Sequence, residues 1–323
     1  MRKFLLLLVL FLFSGYSFAD CGLTTPNASF GSSVTTFYTN TTPSTTSSIT
    51  NVNCGGTGGL SLASGDYVSY TFSTASNLNG TRATLKPTGV TTTDNIPIRM
   101  CIDGSCATEL LTGSTYTWSA ALLGLGSSLN FSLPLYFTTT TGQTVAAGTY
   151  TTLITLLVSY KICVGTSALG ICLGTTQTQL NVAKTFTVTL VLTNDCTTIT
   201  APNVSFGSAP LVGSFSTVQQ TINVVCSKGS TYTVGLSNGS YYSGTTRQMA
   251  SGTNRLAYDI YKGTTTTSRW GPTGTDRWSS TTSTSLNADT LTRNFTYTAQ
   301  ILTSQNTPAA GSYTDSVVVD LSF

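Results

Sequence analysis

Residues 311–323 read G-S-Y-T-D-S-V-V-V-D-L-S-F. The apolar residues that share one side of this stretch, when it is extended, are Val317, Val319, Leu321 and Phe323. This period of two predicts a strand with one buried face. A strand this apolar becomes a template for aggregation if one of its edges stays unpaired. It is therefore either the last strand of a finished sheet or an open edge that another chain completes.

The other end of the sequence resembles a secretory signal peptide over residues 1–19. Arg2 and Lys3 precede an apolar run, and Ser17-Phe18-Ala19 fits the small-x-small cleavage rule. The run is too short to span a membrane. We therefore expect an exported protein, with a mature chain long enough for two ordinary domains.

The composition excludes several classes of function. Only 8% of the residues are charged, and histidine, the commonest general base and metal ligand, does not occur. The sequence has no nucleophile elbow, phosphate-binding loop or zinc-type cysteine pairing. We therefore predict no enzyme, no catalytic residue, no metal and no cofactor. A net charge of +3 is too small to indicate nucleic acid as a partner.

The chain contains one module written twice. P-N-A-S-F-G at 26–31 recurs as P-N-V-S-F-G at 202–207, and A-A-G-T-Y-T at 146–151 recurs as A-A-G-S-Y-T at 309–314. Each first motif follows one cysteine closely and precedes a second, and an Asn-Phe pair lies between the two motifs in both halves. Landmarks repeated in one order indicate a duplication.

The duplication organises the eight cysteines, which an exported chain is expected to pair. The repeat makes Cys21–Cys54 and Cys196–Cys226 equivalent bridges. The remaining cysteines then form the local pairs Cys101–Cys106 and Cys163–Cys172. We accordingly predict an N-terminal domain over 20–194 and a C-terminal domain over 195–323.

Short alternating runs separated by Gly, Asn and Thr predict an all-β protein of two tandem immunoglobulin-like β-sandwiches. The halves differ after the shared A-A-G motif. The first half continues into a further strand at 186–192, F-T-V-T-L-V-L, whereas the second stops with the strand at 315–323. The C-terminal sandwich is therefore expected to lack its last strand.

The second half carries Y-T-V-G-L at 232–236, R-Q-M at 247–249, W-G at 270–271 and G-S-Y-T-D at 311–315. This pattern resembles the spore coat protein U domain family, the subunit family of archaic chaperone–usher pili. The match is close over 196–323 and looser over 20–195. A two-copy chain of this length resembles the two-domain tip adhesins of Csu-type pili.

The resemblance implies that the second domain accepts a strand from a periplasmic chaperone and then, at an outer-membrane usher, from the next pilin. Val317, Val319, Leu321 and Phe323 would form the accepting edge. Only Asp20 lies between the predicted leader and Cys21, so we expect a subunit that accepts a strand and donates none. Such a subunit would lie at the extracellular tip of the pilus.

Three stretches at one predicted pole of the first domain, 55–65, 118–128 and 164–171, combine glycines with apolar side chains. The candidate surface-binding residues are Leu60, Leu62, Ala120, Ala121, Leu122, Leu123, Leu125, Ala168, Leu169 and Ile171. Turns are normally polar, and an exposed apolar patch marks a contact surface. We therefore predict binding to an abiotic or host surface and a role in biofilm formation. Alternatively, these residues fold back and close the end of the sandwich.

Two other functions remain open at this stage. A glycan-binding tip adhesin would use an aromatic platform, for which Tyr116, Trp118 and Tyr136 are candidates, although as strand residues they are expected in the core. The other alternative is a structural pilin or coat subunit.

Overall fold

The computed structural model describes residues 21–31, 33–55, 65–123, 130–164, 167–168 and 171–323. Contacts divide the chain into two compact units. The first is formed mainly by residues before Leu192, and the second by Leu192–Phe323 together with Val34–Tyr38 and Thr144–Ala147. Strands dominate both units. The α-helices among the described residues are two short ones, α1 (Thr36–Thr41) and α2 (Ala120–Leu123). The prediction of an all-β protein is confirmed.

Fourteen strands lie between Gly22 and Thr193 among the described residues, most of them short, and all but the one at Val34–Thr35 belong mainly to the first unit. They are β1 (Gly22–Thr24), β2 (Ala28–Ser29), β3 (Val34–Thr35), β4 (Thr45–Asn53), β5 (Tyr67–Ala75), β6 (Leu78–Asn79), β7 (Arg82–Pro87), β8 (Ile96–Cys101), β9 (Thr115–Ser119), β10 (Asn130–Thr139), β11 (Gly148–Val164), β12 (Ser167–Ala168), β13 (Ile171–Cys172) and β14 (Thr175–Thr193).

Twelve of these strands form one continuous sheet along the path β1-β4-β10-β8-β7-β11-β14-β2. The sequence predicts two separate sheets for this half, but β7 pairs with both β8 and β11 and so joins them. The path folds back on itself, because the rings of Phe137 on β10 and Phe186 on β14 lie 5.8 Å apart. The core of the first unit lies inside this fold.

Strand β14 contains the stretch 186–192 that the sequence assigns to the last strand of the first half. It lies beside β11 and pairs in parallel with β2, Val188 opposite Ala28 and Thr189 opposite Ser29. The inward side chains of this stretch are at most 3% exposed, namely Phe186, Val188, Leu190 and Leu192. A fully buried apolar face of this kind contributes strongly to folding, so β14 completes the first unit.

The second unit contains nine strands. They are β15 (Cys196–Thr200), β16 (Val218–Cys226), β17 (Thr233–Leu236), β18 (Arg247–Ser251), β19 (Asn254–Lys262), β20 (Trp278–Ser279), β21 (Ser285–Leu286), β22 (Thr292–Ile301) and β23 (Val319–Ser322).

These strands form two sheets, β15-β16-β22-β19-β18 with β21 beside β22, and β20-β17-β23. The core contains residues of both sheets, so the unit is a β-sandwich. Trp270 is fully buried at its centre, edge-on to Trp278 at 5.0 Å, and its Nε1 donates to the Val234 carbonyl at 2.9 Å. Trp270 and Trp278 therefore belong to the core.

All eight cysteines form disulfides, in the pairs that the repeat predicts. Cys21–Cys54 and Cys196–Cys226 close loops of 33 and 30 residues, and each contributes about 3–4 kcal/mol by the loop-entropy relation. Cys101–Cys106 and Cys163–Cys172 span 5 and 9 residues. The two long bridges occupy equivalent places in the two units.

Candidate functional site

Strand β23 is an edge strand of the second unit. It pairs antiparallel with β17, Leu321 opposite Val234 and Val319 opposite Leu236. Within the described ranges no strand pairs with its other edge. Regular pairing covers only Val319–Ser322, so the strand is shorter than the sequence predicts. Residues 315–318 are held instead by individual hydrogen bonds, such as that from Ser237 N–H to the Val318 carbonyl at 2.9 Å.

The period-two pattern of this segment is present, with one exception. Val317, Val319 and Leu321 are half-buried against the core, and Val318 on the opposite side is 63% exposed. Phe323, predicted on the buried side, is 65% exposed, with its ring centroid 6.1 Å from that of Tyr232. The sandwich therefore leaves the inward face of this segment only partly covered.

An apolar groove lies beside this segment. It forms a cavity of about 290 Å³ between residues 313–319 on one side and 201–206 on the other. The core residues at its floor are Ile222, Leu236, Met249, Tyr258, Ile260, Tyr297 and Ala299. A second cavity of about 300 Å³, lined by 207–212 and 307–311, shares Tyr313 with the first. We call the two cavities together the acceptor groove.

The first unit shows what fills the equivalent space. Counting from the shared A-A-G motif, Val317, Val319, Leu321 and Phe323 correspond to Ile154, Leu156, Val158 and Tyr160 on β11, which are all 0% exposed. Strand β14 lies between β11 and β2 in the sheet. The acceptor groove is therefore the space that β14 fills in the first unit.

The other wall of the groove is also unpaired. In the first unit Phe30 N donates to the Thr189 carbonyl of β14 at 3.0 Å, and the Asn27 side chain accepts from Thr187 N at 2.8 Å. The repeat equivalents of Phe30 and Asn27 are Phe206 and Asn203. In the described part of the second unit, Phe206 N and the Asn203 side chain make no such bond. This wall therefore retains backbone and side-chain groups that suit a strand.

The Asp315 carboxylate holds the segment that precedes β23 in place. Asp315 accepts hydrogen bonds from the Tyr258 hydroxyl at 2.6 Å and from Ser240 N at 2.8 Å. Burial raises the pKa of Tyr258, and the adjacent Asp315 raises it further. Gly239 has a φ of +83°, and a Cβ there would meet the Asp315 carboxylate at 2.0 Å. The contact therefore requires glycine at 239.

The residues that flank the three predicted apolar loops lie at one end of the first unit. Tyr67 on β5 is opposite both Ser119 on β9 and Lys161 on β11, and Asn53 on β4 is opposite Asn130 on β10. These two groups are tied together, because Cys21, bridged to Cys54, donates its N–H to the Tyr160 hydroxyl at 3.0 Å. We call this end the loop pole.

Several predicted loop residues lie outside the described residues, namely Leu60, Leu62, Leu125 and Leu169. Ala120, Ala121, Leu122 and Leu123 form the helix α2 instead of an open loop, and the side chains of Ala120 and Leu123 are half-buried. Trp118, predicted to begin that loop, lies in β9 with its ring 4.7 Å from those of Tyr70 and Tyr116. The prediction of a loop is therefore wrong at 118–123.

The hairpin of β12 and β13 contains two further predicted residues. Ala168 lies opposite Ile171, and Cys163–Cys172 ties β13 to β11. Ile171 is 64% exposed, and Leu173, which the sequence analysis did not single out, is 67% exposed. The two residues flank Cys172, and a search for alternating apolar residues around that cysteine would have found both.

Other kinds of site are not found in the part of the chain that the structure describes. There, no group of three His, Cys, Asp or Glu residues could hold a metal ion. No described helix is long and apolar enough to cross a membrane.

Comparisons with known proteins identify relatives in structure. A chain of the CsuC–CsuE chaperone–tip adhesion subunit pre-assembly complex, from archaic chaperone–usher Csu pili of Acinetobacter baumannii, matches with a TM-score of 0.54 and 23% identity, over 94% of this chain and 100% of that one. The CupB6 tip adhesin of Pseudomonas aeruginosa gives a TM-score of 0.35 at 11% identity (94% and 93% covered). CfaE, the adhesive subunit of CFA/I fimbria of enterotoxigenic Escherichia coli, gives 0.35 at 10% (82% and 88%).

A comparison with curated protein sequences finds no significant match. The model of the Spore Coat Protein U domain matches twice, over residues 8–156 and 182–320, which agrees with the duplicated module. These two matches cover most of the sequence. The chain therefore belongs to the Spore Coat Protein U domain family.

Proposed function

We propose that this protein is an adhesin of a chaperone–usher pilus, in which the second unit accepts a β-strand from another polypeptide. The observation that carries the proposal is the acceptor groove, an apolar space that a strand of the chain itself fills in the repeated unit. Residues 1–19 would be the leader, 20–194 the adhesin domain and 195–323 the pilin domain.

The accepted strand would run antiparallel to β23 and parallel to 202–207, as β14 does with β11 and β2. Its backbone would pair with the open edge of β23 and with Phe206 N. Alternate side chains would enter the groove and cover Val317, Val319 and Leu321. Backbone pairing gives such a strand affinity, and the pockets give it specificity.

The donors would be a periplasmic chaperone first and the next pilin, placed by an outer-membrane usher, afterwards. A similar structure is a chaperone–tip adhesion subunit pre-assembly complex, which supports a chaperone as the first partner. An unfilled groove exposes apolar surface and a free strand edge, and both favour aggregation. A chaperone that covers the groove during export would prevent this.

The loop pole of the first unit would bind the target surface. Ile171 and Leu173 expose about two thirds of their surface beside a disulfide, which supports a rigid apolar contact. Complete transfer of one such side chain from water contributes about 1.5–3 kcal/mol. Many pili on one cell would multiply this modest affinity, so attachment to abiotic or host surfaces and biofilm formation would follow.

The experiment for the acceptor groove uses a synthetic peptide of residues 184–194, K-T-F-T-V-T-L-V-L-T-N. Binding of the labelled peptide to the full chain is measured by fluorescence anisotropy. The control peptide has the same composition, but its residues are rearranged so that apolar and polar residues no longer alternate. We expect the first peptide to bind and the control to fail. Equal binding of both peptides, or of neither, would contradict a strand-accepting groove.

A further inference from the structure

The open edge strand is held by an arginine from outside the sheet. Arg277 follows the short 3-10 helix Gly274–Asp276, and its guanidinium lies across β17 and β23. Nε donates to Thr233 Oγ1 at 2.9 Å and Nη2 to the Thr233 carbonyl at 3.0 Å. Nη1 donates to Asp320 Oδ2 at 2.6 Å and to the Pro272 carbonyl at 3.0 Å. One side chain therefore joins the edge strand to its neighbour and to a loop.

The β17–β23 sheet leaves space for the Arg277 side chain. Gly235 is the residue opposite Asp320 in the β17–β23 pair. A Cβ at position 235 would lie 2.2 Å from Arg277 Nη1 and 2.6 Å from Asp320 Oδ1. Glycine in a strand interior weakens the strand unless another group approaches closely. Here the guanidinium occupies the space that any other residue would fill.

The arginine is itself fixed in place. Its carbonyl accepts a hydrogen bond from Lys262 Nζ at 3.0 Å, and its side chain is only 14% exposed, compared with 49% for Asp320. An arginine whose five donors find fixed partners loses little further freedom on pairing. The contact is therefore more ordered than an ordinary surface ion pair.

Among its described residues, the first unit has no such arrangement at the equivalent place. There the cross-strand pair that corresponds to Gly235 and Asp320 is Thr71 and Leu157. Strand β11, which contains Leu157, has β5 on one side and β14 on the other. Arg277 therefore binds across β23, which has one open edge. In the first unit the neutral pair Thr71 and Leu157 lies at the equivalent place, on a strand that has a neighbour on both sides.

We propose that Arg277 is a positioning residue for strand acceptance: seated on Gly235 and bound to Asp320, it holds β23 in register while the outer edge of β23 is open. This inference rests on the proposed strand-accepting function. An edge strand of four residues has little pairing of its own, and a donor must meet it already ordered. Arg277 supplies that order from the face away from the groove.

The test combines amide hydrogen exchange with peptide binding on the full chain. In Arg277→Ala, exchange at Val319–Ser322 should become at least tenfold faster, while the β16–β22 ladder exchanges as before. Affinity for the 184–194 peptide should fall at least tenfold. Arg255→Ala is the matched control, because that guanidinium bonds only its own hairpin carbonyls, at Gly252 and Asn254, and stacks on Tyr241. It should leave both readings unchanged.

A second variant covers the case in which Arg277→Ala unfolds the unit. Asp320→Asn removes the charge at a half-exposed site, and should give the same local change in exchange and affinity, severalfold in size. Unchanged exchange at β23, or faster exchange with full peptide affinity, would overturn the positioning role. Failure of the wild-type chain to bind the peptide would instead overturn the proposed function, and the positioning role with it.

Discussion

Val319 is the first residue of β23 and Val318 precedes it, and their side chains lie on opposite faces of this segment. Val319 lines the acceptor groove and is half-buried, whereas Val318 is 63% exposed on the other face. In the first unit the residue equivalent to Val319, Leu156, is fully buried, and its strand β11 has β14 beside it. A charged group at 319 would therefore keep contact with water in the empty groove and lose it when a strand enters.

The size of the effect follows from the chemistry of the introduced carboxyl. In Val319→Asp, a donor strand would bury a carboxylate with no partner, so the group must be neutralised first. Neutralising a carboxyl with an ordinary pKa of about 3.9 at pH 7 costs about 4 kcal/mol. Each 1.4 kcal/mol is a factor of ten in affinity. We expect peptide affinity to fall about a thousandfold in Val319→Asp and to stay unchanged in Val318→Asp.

The assay is fluorescence anisotropy of the labelled 184–194 peptide at pH 7 and again at pH 4. Acid neutralises the introduced carboxyl, so much of the lost affinity should return at the lower pH. Wild-type and Val318→Asp chains should not show this recovery. Equal affinity of the two variants at pH 7 would refute the assignment of Val319 to the groove.

Three further predictions concern the rest of the chain. The double variant Ile171→Ser, Leu173→Ser should lose most attachment to polystyrene beads, because it removes exposed apolar surface at the loop pole. The fully buried Arg247 guanidinium donates to the buried Asp259 carboxylate. Arg247→Ala should therefore lower the free energy of unfolding by about 3–5 kcal/mol, because it leaves that carboxylate with Arg269 as its remaining ion-pair partner. Stability should stay constant between about pH 5 and pH 8, because the chain has no histidine. Below that range it should fall, since the Ser105 hydroxyl and backbone N–H groups lower the pKa of Asp103 from 3.8 to about 2.

Controls for these predictions come from the same chain. Val90 is 63% exposed in a turn between β7 and β8, so Val90→Ser should not change bead attachment; equal loss in both variants would contradict a specific surface at the loop pole. Thermal melts of Arg247→Ala are compared with those of Arg255→Ala, and equal melting temperatures would contradict the buried ion pair. Because the pKa of Asp103 is lowered in the folded state, its carboxylate stabilises the fold above pH 3.8, and this stabilisation is lost as the pH falls towards 2. Rising stability in acid would contradict it.

Much of the fold could be predicted because the sequence contains the same module twice. The repeated motifs at 26–31 and 202–207 align the halves, and this alignment pairs the four equivalent cysteines. The alternation of Val317, Val319 and Leu321 identifies the accepting face, since side-chain direction along a strand follows from position alone. The comparison of the two halves also indicates which strand fills the groove.

Other features depend on tertiary contacts that no local pattern contains. Ala120–Leu123 forms a short helix where glycine-rich apolar sequence indicates a loop, because apolar residues suit either element in so short a stretch. Phe323 is exposed although its period places it on the buried side, because burial of that position requires a neighbouring strand. The contact of the Arg277 guanidinium with Gly235 joins residues 42 positions apart in the sequence, and neither residue type predicts it.

The central claim is that the acceptor groove takes a strand in the register that β14 adopts in the first unit. Amide exchange of the full chain, with and without the 184–194 peptide, tests it residue by residue. We predict new protection at the Phe206 amide, the equivalent of Phe30, which donates to β14, and along Val319–Ser322. Protection elsewhere on the chain, or none at these amides when the peptide is bound, would contradict the account.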